Sequence, residues 1–526
     1  MLLSDTSHLL ERLTSIGLDL SREDNISNLL EKILTSARKL CHAEAGTLYL
    51  LKEDENALNF EIIQNEPMNI SLRRDVDRMD MFSPVPMQKK GRPNTENVSS
   101  YVAVSGEKVN IEDVYIAEGF DFTGTRNYDQ KSGYRSRSML VIPMRNHEQR
   151  IIGVLQLINA RSPDTGKVRA FSSEEENLIE AMASQAAVVL TKKQLIYDLE
   201  NLFNAFIQSI ATAVDGKSPH TGRHVERVVT LSLALAREIS RSGEGPLSDV
   251  DFTEDELEEL RLASWLHDVG KIATPEHILD KRTRLESIWD REELIRTRFS
   301  LIAQALENNM LKQAADSKPE ETGADSLKQQ LKELEEDLGF ILECNRPEKF
   351  VSDKDMSRLQ SIAAKEYMVQ GQNLACLTSE ELVFLSVQKG TLTREERHAI
   401  EDHARATRKI LAELPFPRKM RRVPEYAAMH HERPDGSGYP DGISGKTLPL
   451  QARIIAVADV FEALTARDRP YKKPMPMSRA LEILQFMKKD GHLDPDIVDL
   501  FVENKVYEKT VPGSLEKSNN SDLHSR

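Results

Sequence analysis

Histidine and aspartate side chains recur in otherwise apolar helical stretches of the second half of the chain. In HVERVVTLSLAL, for example, His224 begins a row of apolar residues at helical spacing. WLHDVGKI, HAIEDHARAT and IIAVADVF show similar rows, and HHERPDGSGYPDG begins with two more histidines. The candidate residues are His224, His267, Asp268, His403, His430, His431 and Asp459. Such polar groups are costly to bury unless they are paired or coordinate a cation.

Each of these residues has an ordinary interpretation when taken alone. A single histidine on an apolar face is usually a packed core residue, and a single aspartate often caps a helix or pairs with a base. Taken together, with few basic partners nearby, the seven residues favour a shared cation site. Nitrogen and carboxylate ligands without thiolate suit Fe, Mn, Zn, Co or Ni better than Ca or Mg. Five histidines and two aspartates exceed one tetrahedral shell, so we expect two cations with Asp268 between them.

Helices must position most of these residues. Thr253 with Glu256, and Thr393 with Glu396, form capping-box patterns that predict helix starts before His267 and His403. Almost everything from residue 217 onward is predicted to be helical. Residues 282–390 are predicted to be an insertion with its own helices, and residues 508–526 a disordered tail.

The first half of the chain has a different pattern. GTLYLL, FEIIQ, YVAV, SMLVIPM and RIIGVLQLIN are short runs that predict strands. A helix is predicted before them, within residues 1–40, and another begins after Ser172, its expected N-cap.

That second helix is expected to continue through a connecting segment, residues 191–216. Two series there repeat every seven residues: Leu199, Phe206 and Ala213, and Ile196, Phe203 and Ile210. This spacing predicts a coiled coil between the subunits of a homodimer. The alternative is one amphipathic helix packed on its own domain.

Composition limits the class of protein. A chain of 526 residues predicts more than one domain. The net charge of −15 argues against binding of a nucleic-acid polymer. Cys41, Cys344 and Cys376 are far apart and are predicted to be reduced thiols. With no signal peptide and no apolar run long enough to span a membrane, we expect a cytoplasmic protein.

The motifs HD in WLHDVGKI, HHERPDGSGYP and ADVFEALTARDRPYKK resemble the signature of the HD-GYP phosphodiesterases, a branch of the HD phosphohydrolases. The resemblance covers roughly residues 200–282 and 391–505. It implies an all-α domain over residues 217–507, which hydrolyses cyclic di-GMP to pGpG or on to GMP. It also implies two or three divalent metal ions, with Fe or Mn as the expected metals.

The resemblance also implies roles for residues at matching positions. The seven candidates match the family's metal ligands, with Asp268 and Lys271 as the catalytic residues. Lys271 in HDVGK matches a lysine that contacts the scissile phosphate. The expected substrate contacts are Lys271, Gly438, Tyr439, Pro440, Arg469 and Lys472. His220 stands where members with three metals have a glutamate, so it is either an extra ligand or a turn residue.

Residues 1–190 resemble a GAF domain, an α/β sensory module with an antiparallel sheet and flanking helices. NIEDVYIAEGF and IIGVLQLINA look most like the cyclic-nucleotide-binding members. Their motif has counterparts in Asn159-Ala160, Phe171 and Glu175-Glu176, but its lysine and its aspartate are missing. A cyclic nucleotide or another small ligand is therefore a hypothesis here.

The sequence as a whole predicts a metal-dependent cyclic di-GMP phosphodiesterase that its GAF domain regulates. Two alternatives stay open: a receptor that binds cyclic di-GMP without hydrolysing it, and a phosphohydrolase for another cyclic dinucleotide.

Overall fold

The computed structural model describes residues 14–52, 54–77, 82–217, 223–316, 324–466 and 475–509. The chain forms two compact units that divide between residues 203 and 204. In these described ranges, no helix has both the length and the apolar character needed to cross a bilayer.

An antiparallel sheet forms the centre of the first unit. The strands are β1 (Ala43–Lys52), β2 (Ala57–Asn65), β3 (Ile70–Arg73), β4 (Val85–Pro86), β5 (Gln88–Lys89), β6 (Arg92–Pro93), β7 (Val109–Ile111), β8 (Met139–Arg145), β9 (Ile151–Arg161) and β10 (Val168–Arg169). The order is β3-β2-β1-β9-β8-β7, with β4 beside β2, β10 beside β9, and β5 paired with β6 in a separate hairpin. The predicted α/β unit with an antiparallel sheet is confirmed.

Helices flank this sheet. They are α1 (Ile26–Leu40), α2 (Val98–Ser105), α3 (Thr123–Ser132) and α4 (Ser173–Asp215), after a helical segment at 14–22. Leu48 belongs to the core that contains the apolar residues of α1 and α4, whereas Tyr49 belongs to the core that contains those of α2. Successive residues of a strand point to opposite faces, so the sheet separates two hydrophobic cores.

The predicted strand YVAV is wrong, because these residues lie in α2. The side chain of Asn97 accepts hydrogen bonds from the amides of Ser99 and Ser100, and Gly106 ends the helix in the left-handed conformation. Val98 and Val102 share a helical face and are both buried. Capping residues on both sides therefore outweigh the strand preference of valine and tyrosine.

The predicted start of α4 is confirmed. The Glu175 amide donates to Ser172 Oγ at 3.2 Å, and the Ser172 amide donates to Glu175 Oε2 at 2.8 Å. Further along α4, the exposed apolar row differs in part from the predicted seam. Leu195, Leu199, Leu202 and Phe206 are each more than half exposed. Phe203 and Ile210 of the predicted second series are instead partly buried.

The second unit is almost entirely helical. Its helices are α5 (His224–Arg241), α6 (Glu254–Leu266), α7 (Glu276–Leu279), α8 (Glu292–Asp316), α9 (Ala324–Asn345), α10 (Asp353–Ala363), α11 (Ser379–Leu385), α12 (Arg394–Glu401), α13 (His403–Ala412), α14 (Val423–Ala428), α15 (Leu450–Thr465), α16 (Met477–Lys489) and α17 (Pro495–Glu503). Short 3-10 helices cover Val269–Ala273, Arg418–Met420, Gly445–Thr447 and Val506–Glu508. Both predicted capping boxes, at Thr253 and at Thr393, are present.

Residues 282–390 contain a separate hydrophobic core, formed mainly by α8 to α11. They also contain a hairpin that sequence reasoning missed, β11 (Glu366–Val369) and β12 (Gln372–Ala375). Gln370 and Gly371 at its turn both have positive φ, 52° and 84°, as a tight hairpin turn requires. Arg284 is fully buried and donates to several backbone carbonyls of this segment.

Most of the predicted tail, residues 508–526, lies outside the described residues. Glu508 is an exception, since it ends the last 3-10 helix. Lys509, also described, pairs with Glu238 on α5 at 2.7 Å.

Candidate metal and phosphate site

The seven candidate residues of the second unit converge, and most of them lie at helix ends. His224 begins α5 and His403 begins α13, whereas His267 with Asp268 follows α6, and His430 with His431 follows α14. Asp459 alone lies inside a helix, α15. His403 was expected in the middle of one helix, but Asp402 separates α12 from α13.

The converging side chains form two groups. His224, His267 and Asp268 make one group, and His403, His430 and His431 make the other. Within each group the possible ligand atoms lie within 4.8 Å of one another. Each group thus offers three ligand atoms, so the described residues contain two candidate metal positions.

Asp268 lies between the groups. Its Oδ2 is 3.3 Å from His267 Nε2 and 3.8 Å from His224 Nε2. Its Oδ1 is 3.5 Å from His403 Nε2 and 4.0 Å from His430 Nε2. One carboxylate therefore presents one oxygen to each group, as a bridging ligand would. Asp459 Oδ1 lies 3.4 Å from His224 Nε2 and belongs with the first group.

Backbone carbonyls fix the orientation of three imidazoles. In His267, His403 and His430, Nδ1 lies 2.6–2.7 Å from the carbonyl oxygen three residues earlier. A carbonyl oxygen only accepts, so Nδ1 must carry the proton. In the neutral ring Nε2 then has a free lone pair, which is the form that binds metals.

Several polar atoms in this centre are buried without a hydrogen-bond partner. They are Nε2 of His267, His403 and His430, together with Oδ1 of Asp268. Buried polar atoms in folded proteins are nearly always satisfied, so four orphaned atoms that face one another require an explanation. Divalent cations would satisfy all four, and the nitrogen and oxygen donors fit transition metals.

The protonation states of the second group and of Asp268 agree with this interpretation, whereas burial of His267 is outweighed by Asp268 and Asp459, which raise its pKa. Burial lowers the pKa of His403, lowers that of His430 well below its usual range, and lowers that of His431 to about 3. Burial opposes ionisation of Asp268, but Lys271 and His267 outweigh it and hold the pKa of Asp268 well below its usual range. The second group is therefore neutral and Asp268 is ionised, as metal ligands must be.

Glu462 orients His224 and was missed by sequence reasoning. Its Oε2 forms a hydrogen bond with Nδ1 of His224, and its Oε1 accepts from Arg227 Nε at 2.6 Å. Burial lowers the pKa of His224, but the bonds with Asp459 and Glu462 outweigh burial and raise the pKa to about 10. The sequence contained one signal for this role, because Glu462 is an acidic residue three positions after Asp459 on the same apolar helix.

We expect Glu462→Gln to weaken metal binding by about 10- to 100-fold, the usual cost of losing a carboxylate that supports a ligand histidine. The amide would support His224 less strongly than the carboxylate does. Metal retained after dialysis against graded Mn²⁺ measures the effect. Glu482→Gln on α16, an exposed glutamate paired with Arg479, is the matched control. Equal Mn²⁺ affinity in both variants would contradict the role of Glu462.

The loop after His431 is fixed by Glu432. This buried carboxylate accepts hydrogen bonds from the Asp441 amide at 2.6 Å and the Ile443 amide at 2.9 Å. A Cβ on Gly438 would lie 2.6 Å from the His431 carbonyl oxygen, so only glycine fits there. Arg405 on α13 donates to the Pro440 carbonyl at 3.0 Å, which ties the loop to the helix that carries His403.

Lys271 lies on the 3-10 helix after Asp268. Its Nζ is 2.5 Å from Asp268 Oδ2. Burial lowers the pKa of Lys271, but Asp268 outweighs it and the net shift is upward. Thr407 of α13 supports the turn from behind, because its Oγ1 accepts from the Gly270 amide at 3.0 Å and donates to the His267 carbonyl at 3.1 Å. The site thus has a fixed positive charge beside the ligand cluster.

The remaining candidates divide into two sets. His220, Arg469 and Lys472 lie outside the described residues. Tyr439 is close to the site, with its ring centroid 4.8 Å from that of His431. Gly438 and Pro440 are in the loop beside Tyr439.

The three matches to the GAF motif are all engaged within the first unit. Asn159 donates to Glu44 Oε2 and to the Tyr134 hydroxyl, each at 2.8 Å. Glu175 pairs with Arg169 at 2.7 Å, and Phe171 is buried in the core with α1 and α4. Cyclic-nucleotide binding stays a prediction.

Comparison with protein families identifies both units. The GAF domain family matches residues 25–190. Two HD domain families match residues 221–344 and 378–497. The GAF match overlaps the segment that resembles a GAF domain, and the two HD matches contain the HD motif of WLHDVGKI and the HHERPDGSGYP motif respectively.

Curated relatives resemble parts of the chain. The 3′3′-cGAMP-specific phosphodiesterase 1 of Vibrio cholerae is 39% identical over 127 residues, 24% of this chain and 28% of the relative. The cyclic di-GMP phosphodiesterase response regulator RpfG of Xanthomonas campestris is 36% identical over 133 residues, 24% of this chain and 33% of the relative. The 3′3′-cGAMP-specific phosphodiesterase 2 of Vibrio cholerae is 23% identical over 339 residues, 64% of this chain and 42% of the relative.

In each case the match spans less than half of the relative's length. The matches therefore show a GAF domain and an HD domain in this chain, and the motifs of the HD region resemble the HD-GYP signature.

Proposed function

We propose that this protein is a metal-dependent phosphodiesterase that hydrolyses cyclic di-GMP to pGpG, to GMP or to both. The observation that supports it best is the placement of Asp268, whose two oxygens face two separate groups of ligand atoms. Paired cations in such a position are suited to phosphodiester hydrolysis. The imidazole and carboxylate donors suit Fe, Mn, Zn, Co or Ni, and the resemblance to the HD-GYP phosphodiesterases makes Fe²⁺ and Mn²⁺ the metals we expect.

The chain's own residues would have distinct roles in that reaction. The histidines and the two aspartates would hold the cations, which supply neutralisation of phosphate charge and a stronger nucleophile from water at neutral pH. Lys271 would place its ammonium against the scissile phosphate, where negative charge develops. Tyr439 and the loop held by Glu432 would bound the ligand on the side of His431.

The direct test uses the purified full chain under reducing, anaerobic conditions. It is loaded with Mn²⁺ or Fe²⁺ and incubated with cyclic di-GMP, and nucleotides are separated by ion-exchange chromatography. We expect pGpG, GMP or both to appear in proportion to enzyme. Absence of either product with both metals would overturn the proposal.

A second candidate substrate is 3′3′-cGAMP, because two of the relatives described above are named as phosphodiesterases specific for it. Measuring kcat/KM for both cyclic dinucleotides under the same conditions shows which of the two is the better substrate. A receptor that binds without turnover would bind cyclic di-GMP, release no product and purify without stoichiometric metal. Elemental analysis of the purified chain therefore separates an enzyme from a receptor.

We also propose that the protein is a homodimer joined through α4. The exposed residues Leu195, Leu199, Leu202 and Phe206 alternate at spacings of four and three, which is the pattern of a coiled-coil seam. An exposed apolar row of this kind on a 43-residue helix is suited to association with a second copy.

The dimer proposal predicts that Leu199→Glu halves the molar mass measured by light scattering. The introduced carboxylate would face the same carboxylate of the second copy and would be buried among apolar side chains. Both effects would destabilise the dimer. Asn201→Glu, an exposed position on the same helix outside the seam, is the matched control and should remain dimeric. Equal masses for the two variants would contradict the seam.

We further propose that the GAF domain responds to a small ligand and regulates hydrolysis through α4. Inserting one alanine after Asp198 would rotate the following residues by about 100° relative to the preceding ones. We expect this insertion to change the hydrolysis rate at least about threefold, whereas a seven-residue insertion, which keeps the heptad register, should change it much less. Equal rates for both insertions would indicate that α4 is a passive linker.

A further inference from the structure

Lys217 follows the end of α4 and contacts the turn that carries Lys271. Its Nζ donates to the Ile272 carbonyl at 2.6 Å and to the Thr274 carbonyl at 2.8 Å, and it lies 3.5 Å from the Lys271 carbonyl. These oxygens belong to the C-terminal end of the 3-10 helix Val269–Ala273 and to its cap. Terminal carbonyls of a helix have no partner inside it, and a cation there is favourable.

The same end of α4 is also attached to the start of α5. Ala211 is buried in one cluster with Val225 and Val229. The end of α4 therefore contacts the element that carries His224, and Lys217 contacts the element that carries Lys271.

The position of Lys271 depends on this short turn. Gly270 packs so closely on α13 that a Cβ there would lie 2.7 Å from Thr407 Oγ1, so the beginning of the turn is held against α13. At the end of the turn, Lys217 donates to the carbonyls of Ile272 and Thr274, which follow Lys271. Without that ammonium, the carbonyls of Ile272 and Thr274 would lose a charged donor, and the turn could relax away from Asp268.

We propose that Lys217 is a positioning residue, which fixes the 3-10 turn so that the Lys271 ammonium stays beside Asp268 and the scissile phosphate. This inference rests on the proposed phosphodiesterase function. It gives the end of the connecting helix a direct contact with the phosphate-binding turn. Lys217 itself would not touch the substrate.

The first measurement is steady-state hydrolysis by the metal-loaded full chain. Lys217→Met should lower kcat about 10- to 100-fold with a much smaller change in KM, because a displacement of about 1 Å at a reacting group costs that much. Lys217→Arg should recover most of the rate, since it still donates to carbonyls. Lys419→Ala, which removes a lysine from an exposed ion pair with Asp255, is the matched control and should keep the wild-type rate.

The second measurement separates positioning from general destabilisation. In a Lys271→Met background, adding Lys217→Met should cost no further rate, because Lys217 acts through Lys271. The inference would be overturned if the double variant lost kcat by the product of the two single losses. It would also be overturned if Lys217→Met kept the wild-type kcat.

A third measurement does not depend on turnover. Amide hydrogen exchange in the peptide that covers residues 268–275 should be faster in Lys217→Met than in wild type, both with and without metal. Unchanged exchange there would also overturn the inference. If wild type itself hydrolyses no cyclic dinucleotide, the proposed function fails, and the exchange experiment still tests the contact of Lys217.

Discussion

Replacing Asp268 by asparagine is expected to reduce the rate of cyclic di-GMP hydrolysis by more than about 100-fold. Changing a residue that only supports a metal ligand usually costs about 10- to 100-fold, and Asp268 is expected to be a ligand itself. The variant should also lose metal. One oxygen of this carboxylate faces His224 and His267, and the other faces His403 and His430. The asparagine nitrogen carries hydrogens and no negative charge, so it cannot serve a second cation.

The measurement pairs elemental analysis with steady-state kinetics. Wild type should hold at least two metal ions per chain, and Asp268→Asn fewer, with kcat rather than KM carrying the loss. Asp255→Asn makes the same chemical change at an exposed aspartate and should alter neither quantity. Wild-type metal content together with a wild-type rate in Asp268→Asn would rule out a bridging role.

Much of the candidate metal site could be predicted because polar residues in apolar rows are visible in sequence. His224, His403 and Asp459 are all in such rows, and the structure brings them into one centre. Their positions at helix ends were less predictable. Where one helix stops and the next begins depends on tertiary packing, as at Asp402, where neither glycine nor proline marks the break.

The supporting groups could not be predicted from local pattern. Glu462 reaches His224 across 238 positions of sequence, and Lys217 reaches Ile272 across 55. No periodicity specifies which acid or base will meet which partner over such separations. Similarly, YVAV has strand composition, and only its caps and the burial of Val102 explain why it forms α2.

The predicted seam on α4 shows a further limit. A seven-residue repeat specifies that a helix has an apolar row, but neighbouring rows such as those of Ile196 and Leu195 are nearly equivalent in sequence. The structure distinguishes them, because Phe203 is partly buried whereas Leu202 is exposed. Burial in the folded chain, which sequence spacing does not specify, thus distinguishes the exposed apolar row from its neighbour.

Lys271→Met is expected to lower kcat by about 10²- to 10³-fold, comparable to removal of one donor that stabilises transition-state charge. Methionine has nearly the same length and is apolar, so the change removes the charge with little loss of packing. Because Lys271 is not one of the candidate ligands, the metal content should remain at the wild-type value. That separates it from Asp268→Asn, in which rate and metal fall together.

Two comparisons make the Lys271 prediction specific. Lys271→Arg keeps a positive charge beside Asp268 but replaces the compact ammonium with a planar guanidinium. Its rate should therefore lie between the rates of Lys271→Met and of wild type. Lys446→Met, an exposed lysine on the 3-10 helix Gly445–Thr447, is the matched control and should hydrolyse at the wild-type rate. If Lys271→Met lost metal to the same extent as Asp268→Asn, the ammonium would be holding the ligand cluster together rather than acting on the phosphate. If it kept both metal and rate, the ammonium would have no part in the reaction, and the charge that neutralises the phosphate would have to come from the cations and other side chains.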